Sequence, residues 1–483
     1  MSNKVGSSLK WSTAGEVISK LIAPVTNMIL ARVLDPADFG VLATVNMIIT
    51  FVDLFTDSGF AKYIIQNDFD EKDDMFHFVD VAFWTNLLLS IVLWVIIAVF
   101  RTPIANLVGN SGHELVIVIA SLQLVVTSFS SIQTALYRRF FDFKSLFIAR
   151  ILISVIPLIV TVPLSFAIRN YWALVIGSMV QQVVNALYLS IKSHWKPSLH
   201  YDFDKLRKML SFSIWSLMEA LAYWGTTWFD VFIIGVAFTP YYLGIYKNSL
   251  NMVNSLMQIV KASFIPVLFS TLSRIKNRKE EYIHTYDVLQ GTAAIIIIPL
   301  GTGIFVYRNV ATMILFGTKW IESSMIIGVW ALSSSLFAVF VNFYGEALKS
   351  KGLPKLLFLY EVVCLSFMIP LCMIAKQYGF WAFVFMRSAV VIVQIIIGAI
   401  FMKKYVNYPI SHMVSNICPA VVCSVIMALG GLILNKLLPS RLIFQLLGIL
   451  ICGLLYLTTM RLLFNEKLEE VFDILKGKDP CAL

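Results

Sequence analysis

Fourteen apolar stretches, each about as long as a bilayer's hydrocarbon core is thick, take up most of this chain. They fall at 9–32, 39–63, 76–100, 114–137, 144–168, 171–191, 209–236, 241–271, 283–306, 321–347, 355–375, 379–402, 411–436 and 441–462. A helix needs about 20 mainly apolar residues to cross about 30 Å of hydrocarbon. Turn formers separate the stretches: Asp35-Pro36, Asn110-Ser111-Gly112, Thr239-Pro240, Gly352-Leu353-Pro354 and Pro439-Ser440. Only 14% of the residues are charged and 59% are hydrophobic, whereas a soluble surface takes about 25% charged residues. A soluble enzyme is excluded, and the fold class is an all-α integral membrane protein with 14 transmembrane helices.

The net charge of +10 would suggest nucleic acid in a soluble domain. Here the basic residues lie between apolar stretches and read as topology signals, so no nucleic-acid partner is expected. With the N-terminus cytoplasmic, the inner connections and both ends carry 25 Lys and Arg and the outer connections 8. That alternation places both termini in the cytoplasm and makes the number of spans even. The first stretch, Trp11 to Ala31, is longer than a signal-peptide core and reads as a retained span. Five basic residues remain inside spans: Lys20, Arg150, Lys247, Lys261 and Arg387.

A repeat divides the chain. Asp35-Pro36-Ala37-Asp38-Phe39-Gly40-Val41 joins spans 1 and 2, and Thr239-Pro240-Tyr241-Tyr242-Leu243-Gly244-Ile245 joins spans 7 and 8 at an offset of 204 residues. Trp11-Ser12 maps onto Trp215-Ser216 at the same offset. Six spans separate the copies, so the halves point the same way: two parallel six-helix lobes, 1–204 and 205–408, around a central cavity. Spans 13 and 14, with a cytoplasmic tail, occupy 409–483.

Residues 4, 7 and 11 apart share a helical face. Span 1 carries Ser12, Glu16, Lys20 and Asn27 on one face; span 2 carries Asn46, Thr50, Asp53 and Asp57. Span 7 carries Glu219, Tyr223, Thr226 and Asp230; span 8 carries Lys247, Asn251, Asn254, Gln258 and Lys261. A charge at the bilayer centre costs at least about 2.5–3.5 kcal/mol, so these stripes should face water or one another. A polar cavity lined by the four repeat-related spans is the economical solution. Simpler roles stay open: Glu16 and Lys20 can neutralise each other, Asp57 and Lys261 can reach the interface, Arg150 can anchor to headgroups, and Arg387 can do either. The loop 192–208 is basic and aromatic and reads as an interfacial segment.

No catalytic pattern occurs. There is no Gly-rich phosphate loop, nucleophile elbow or HExxH. The six histidines fall in loops or at span ends, and five of the six cysteines sit in apolar stretches without CxxC spacing. Neither a catalytic site, a metal site nor a cofactor is expected.

Several stretches resemble the bacterial polysaccharide-repeat-unit flippases, in the lipopolysaccharide, colanic-acid and teichuronic-acid exporter branch of the multidrug/oligosaccharidyl-lipid/polysaccharide exporter superfamily. They are Asp35-Pro36-Ala37-Asp38-Phe39-Gly40, Asp57-Ser58-Gly59-Phe60 with Gln66, Tyr137-Arg138-Arg139 with Phe141-Asp142-Phe143, Tyr171-Trp172-Ala173-Leu174 and Phe316-Gly317-Thr318-Lys319-Trp320. The resemblance covers about residues 5–400. It implies alternating access around a cationic cavity and an undecaprenyl-pyrophosphate-linked oligosaccharide substrate, moved across the bacterial inner membrane. It further implies a lipid-tail groove beside spans 13 and 14, and a polysaccharide polymerase and glycosyltransferases as pathway partners alongside membrane lipids.

On this reading Lys20, Lys247 and Lys261 hold the pyrophosphate, and Asn27, Asn251, Asn254 and Gln258 contact it or the sugars. Glu16, Asp53, Glu219 and Asp230 couple transport to protons or sodium. The relatives that flip peptidoglycan precursors use arginines on spans 1, 2 and 8, where this chain has lysines or acids. The alternative is a cation-coupled multidrug exporter of the same superfamily, which the excess of acids on the four stripes favours. A polymerase or ligase would need a large outer loop, and the longest here has about 13 residues.

Overall fold

The computed structural model describes residues 20–57, 59–69, 72–439 and 441–475, and among them no strand occurs. Thirteen helices among the described residues are long and apolar enough to cross a membrane, one for each of the expected spans 2 to 14. Span 1 lies partly outside the described residues. Its described part is α1, residues 20–33.

The helices then run α2 (Pro36–Asp57), α3 (Lys72–Val99), α4 (Glu114–Arg139), α5 (Phe143–Ile168), α6 (Trp172–Lys192) and α7 (Phe203–Ala237). They continue α8 (Pro240–Arg274), α9 (Lys279–Val306), α10 (Thr318–Ser350), α11 (Pro354–Ala375) and α12 (Phe380–Val406). Last come α13 (Ile410–Leu437), α14 (Leu442–Leu463) and the short α15 (Asn465–Leu475). The chain divides into two compact units, residues 1–247 and 248–483, the division falling inside α8.

In a bilayer, burial of apolar surface gives no net drive between helices, so close backbone approach has to supply the packing. The repeated motif supplies it in the first unit. A Cβ built on Gly40 would stand 1.8 Å from the carbonyl oxygen of Pro240, and one on Gly244 would stand 1.7 Å from that of Pro36. The two copies of the motif therefore interlock reciprocally, each glycine receiving the other copy's proline carbonyl. Nearby, Gly109 and Gly235 meet as closely, and the buried Asn110 amide donates to Thr44 at 2.8 Å. Asp38 caps this end, accepting from the backbone N–H of Asp35 at 3.0 Å and of Tyr171 at 2.9 Å. In α5, Pro157–Thr161 is a π turn, a geometry that widens one turn of a helix. It sets Thr161 against Gly177 of α6, where a Cβ would meet the Thr161 hydroxyl at 2.0 Å.

At the other end of this unit the loop after α6 folds back onto α3. Trp195, in the loop expected to be interfacial, is 4% exposed, inside a core with Phe60, Ile64, Phe78, Phe83 and Met209. The reason is Asp80. This carboxylate, 3% exposed, accepts from the indole N–H of Trp195 at 3.1 Å, from the backbone N–H of Ser198 at 3.1 Å and from the Ser198 hydroxyl. Trp84 donates to the Ser198 carbonyl at 2.7 Å, and Lys205 reaches Asp74 at 2.5 Å across the ring of Phe78. Asp202 caps α7 by accepting from the N–H groups of Asp204 and Lys205, which holds its carboxyl below the usual range. The most exposed hydrophobic side chains of this loop and the start of α7 are Leu199 and Phe203, at 92% and 76%.

In the second unit α9 is the central helix, with buried residues on every side from Tyr282 to Val306. The small residues Gly291, Gly301 and Gly431 let α9, α10 and α13 approach closely. A polar clamp joins α9 to the start of α13. Asp287 accepts from the Tyr408 hydroxyl and pairs with His412 Nδ1 at 3.0 Å, while Asn416 donates to the Asp287 carbonyl at 2.6 Å. Burial first, and the Asp287 carboxylate second, push the Tyr408 phenol above its usual value.

Candidate functional site

Glu16 lies outside the described residues, and so does the side chain of Glu219. The other nine expected site residues can be placed. On α2 the stripe of Asn46, Thr50 and Asp53 is half-buried, while the flanking Val45, Met47, Ile49 and Val52 are buried. The period of 3.6 puts these three on one edge that the core does not claim. Asp53 accepts from the Thr56 hydroxyl of its own helix at 3.0 Å. Trp224 of α7 donates to the Thr50 hydroxyl at 3.2 Å, and its ring lies 4.9 Å from Phe51. Lys20 and Asn27 are half-buried on α1.

Asp230 is 2% exposed. Its carboxylate takes the Tyr246 hydroxyl at 2.6 Å and the backbone N–H of Val231 at 2.7 Å. Burying an ionisable group is a costly arrangement that proteins keep only when hydrogen-bond partners satisfy it. Asp230 therefore ties α7 to α8 inside the first unit. One residue on from Tyr246, the Lys247 ammonium sits 4.0 Å over the ring of Trp228, a cation–π contact worth on the order of 0.5–2 kcal/mol, more when desolvated. The structure thus brings Asp230 and Lys247 to the same α7–α8 contact.

Along the second-unit part of α8, Asn251, Asn254 and Gln258 form an exposed row, and Lys261 is half-buried. Asn254 accepts from the indole N–H of Trp330 on α10 at 3.0 Å. Trp330 in turn carries Arg387 of α12 over its ring, at 5.3 Å. The stripes did not single out Trp228 and Trp330, because an aromatic residue in a span reads as core or as interface until its neighbour is known.

The second unit also holds an almost wholly apolar cavity of about 390 Å³. It lies among α8, α9, α13 and α14, lined by Val253, Leu256, Gly303, Tyr307, Met427 and Tyr456 among others. The hydroxyls at its wall are turned to partners: Tyr456 donates to the Ile295 carbonyl at 2.8 Å, and Tyr307 meets Cys452 Sγ at 3.4 Å. What remains is hydrocarbon and ring surface, suited to an acyl or isoprenoid chain rather than to a polar solute. Among the described residues no group of three or more His, Cys, Asp or Glu could hold a metal ion.

Residues 29–325 match the family described as "Polysaccharide biosynthesis protein". The chain is similar to the succinoglycan biosynthesis transport protein ExoT of Rhizobium meliloti, with 21% identity over 73% of this chain and 70% of that one. It is also similar to the lipopolysaccharide biosynthesis protein WzxC of Escherichia coli, with 23% identity over 77% of this chain and 75% of that one. Among solved structures, the lipid II flippase MurJ in an inward closed conformation superposes with a TM-score of 0.75 at 14% identity, over 94% of this chain and 99% of that one. An inward-facing multidrug resistance MATE family transporter gives 0.61 at 13% identity, over 81% and 98%. At these identities the structural likeness speaks for the fold.

Proposed function

The chain belongs to the polysaccharide biosynthesis protein family, and on that premise we propose that it is a flippase, not an enzyme. It moves undecaprenyl-pyrophosphate-linked oligosaccharide repeat units from the inner to the outer leaflet of a bacterial inner membrane, with both termini cytoplasmic. Lys20, Lys247 and Lys261 hold the pyrophosphate as point charges. Asn27, Asn251, Asn254 and Gln258 contact the phosphates or the sugar hydroxyls. Glu16, Asp53 and Glu219 couple the cycle to protons or sodium, and Asp230 joins them only in a state that breaks its bond to Tyr246. The polymerase and glycosyltransferases of the same pathway are its working partners.

The observation that carries this reading is the apolar cavity beside α13 and α14. A flippase for a lipid-linked glycan needs a dry surface for the tail apart from the polar surface for the head, and the second unit offers one. The multidrug alternative rests on the excess of acids on the stripes. One of those acids, Asp230, is buried and engaged by Tyr246, which weakens the attraction that a cationic drug would feel.

Deleting the gene should strand repeat units on the cytoplasmic leaflet and remove the surface polysaccharide, while drug susceptibility stays unchanged. Normal polysaccharide in the deletion strain would sink the reading. Lys247→Gln should keep the protein folded and cut polysaccharide export roughly ten- to hundredfold, the cost of one charge-assisted hydrogen bond of about 1.5–3 kcal/mol. Gly303 lines the cavity, and a Cβ there meets nothing within 4 Å. Gly303→Leu should therefore fill the cavity without unfolding the protein, and lower export of units on the full-length lipid more than of units on a short-chain analogue.

A further inference from the structure

Lys351 joins two connections of the second unit, α8 to α9 and α10 to α11, at the end that the charge alternation places in the cytoplasm. Its ammonium donates to the backbone carbonyl of Lys276, 75 residues away in sequence, and lies 4.1 Å over the ring of Tyr282. The Tyr282 hydroxyl donates to the Ala347 carbonyl at 3.1 Å and meets Ser350 Oγ at 2.9 Å, so the ring is itself fixed to the end of α10. This staple brings the basic residues of both connections to one end of the unit: Arg274, Lys276, Arg278 and Lys279 from the first, Lys349 and Lys355 from the second. Two of them are paired, Arg278 with Glu281 at 3.0 Å and Lys349 with Glu346 at 2.8 Å. Arg274, Lys276, Lys279 and Lys355 are exposed and have no acid partner among the described residues. The acid next to Lys279 in sequence, Glu280, is exposed as well. Two of the free charges end apolar strips. Lys355 shares a helical face with Phe358 and Leu359, 38% and 44% exposed, and Arg274 shares one with Val267, 43% exposed.

We propose that the α8–α9 and α10–α11 connections form one docking surface for the headgroups of anionic phospholipids, with Arg274, Lys276, Lys279 and Lys355 supplying the charge. Clusters of four or more basic residues at the cytoplasmic ends of spans attract anionic lipid. The strips decide for lipid over a soluble anion, because they set exposed hydrocarbon beside the charge, as the boundary between headgroups and acyl chains does. Orienting a chain needs only a count of basic residues on one side of the membrane, not a particular arrangement of them. Here the arrangement is particular: one lysine, bound to a carbonyl and a ring, holds two distant connections together and leaves four other basic residues exposed. The surface stands or falls without the flippase reading.

The purified full-length protein in dodecyl maltoside is titrated with phosphatidylglycerol labelled on its acyl chain, and with phosphatidylcholine carrying the same label, and binding is read by fluorescence anisotropy. The wild type should bind phosphatidylglycerol saturably and roughly tenfold or more tightly than phosphatidylcholine. Lys276→Gln and Lys355→Gln, one from each connection, should each weaken that binding roughly fivefold, and together roughly twenty-five-fold, the usual yield of a basic residue beside an anionic surface. Both side chains are exposed, so the variants should melt like the wild type. The control is Arg207→Gln with Lys208→Gln, two exposed residues at the start of α7 in the first unit. It removes the same charge from the same side of the membrane and should leave binding unchanged. Equal affinity for the two lipids, or a loss in the control as large as in the double variant, would leave only a diffuse field and overturn the surface. Displacement of the lipid by an equal concentration of inorganic phosphate would make the ligand a soluble anion and overturn it too.

Discussion

Gly40→Ala is expected to remove nearly all folded protein from the membrane, and Gly244→Ala to do the same. The new methyl would lie 1.8 Å from the Pro240 carbonyl oxygen in the first variant and 1.7 Å from that of Pro36 in the second. No side-chain rotation relieves a clash with backbone, so the helices must separate, at a cost on the order of 4 kcal/mol or more. Because both glycines serve one contact, the double substitution should cost clearly less than the two single effects combined. Gly303→Ala is the control: its Cβ meets nothing within 4 Å, and alanine should be neutral or stabilising there by up to about 1 kcal/mol. Thermal unfolding read by size-exclusion of the detergent-solubilised protein measures all four. A wild-type melting temperature for Gly40→Ala would show that the two motifs do not interlock.

Asp80→Ala should release the loop after α6. The indole N–H of Trp195 and the backbone N–H and hydroxyl of Ser198 all converge on this carboxylate, and of these donors the buried indole N–H, left unpaired, costs about 1–3 kcal/mol. The loss should be local, because the Phe60–Phe83 core below the loop persists without it. Proteinase K should then cut within residues 193–202 roughly tenfold faster than in the wild type, the population shift that one such unpaired donor produces. Trp195→Phe keeps the ring's packing and loses one hydrogen bond, so its effect should be smaller, about 0.5 kcal/mol or roughly twofold in cleavage rate. Equal cleavage rates for wild type and Asp80→Ala would remove the carboxylate from its proposed role.

These two sites show how differently sequence and structure contribute. The spans were legible because crossing hydrocarbon demands a length and an apolarity that composition alone displays, and helices stand at each expected span from 2 to 14. The repeat was legible as a pattern at an offset of 204 residues. Its physical meaning was not, since nothing in Pro-x-x-apolar-Gly says that the two copies touch. Asp80 was invisible: an acid near a span's end looks like any interfacial charge until its partner, 115 residues away, is brought to it. The burial of Trp195 was not legible for the same reason, because the acceptor of its indole N–H lies on a distant helix.

The candidate site divides along the same line. Helical spacing alone put Asn46, Thr50 and Asp53 on one edge, and Asn251, Asn254 and Gln258 on another, because periodicity is a local property of the chain. Which polar groups are engaged in structure was decided by tertiary contact: Asp230 by Tyr246, Lys247 by the ring of Trp228, and Asn254 by Trp330. By itself the sequence determined that this is a helical membrane protein with a few charges held where charges are costly. Only the tertiary structure decided which of those charges are already satisfied, because satisfaction is a relation between distant residues and leaves no trace in their spacing.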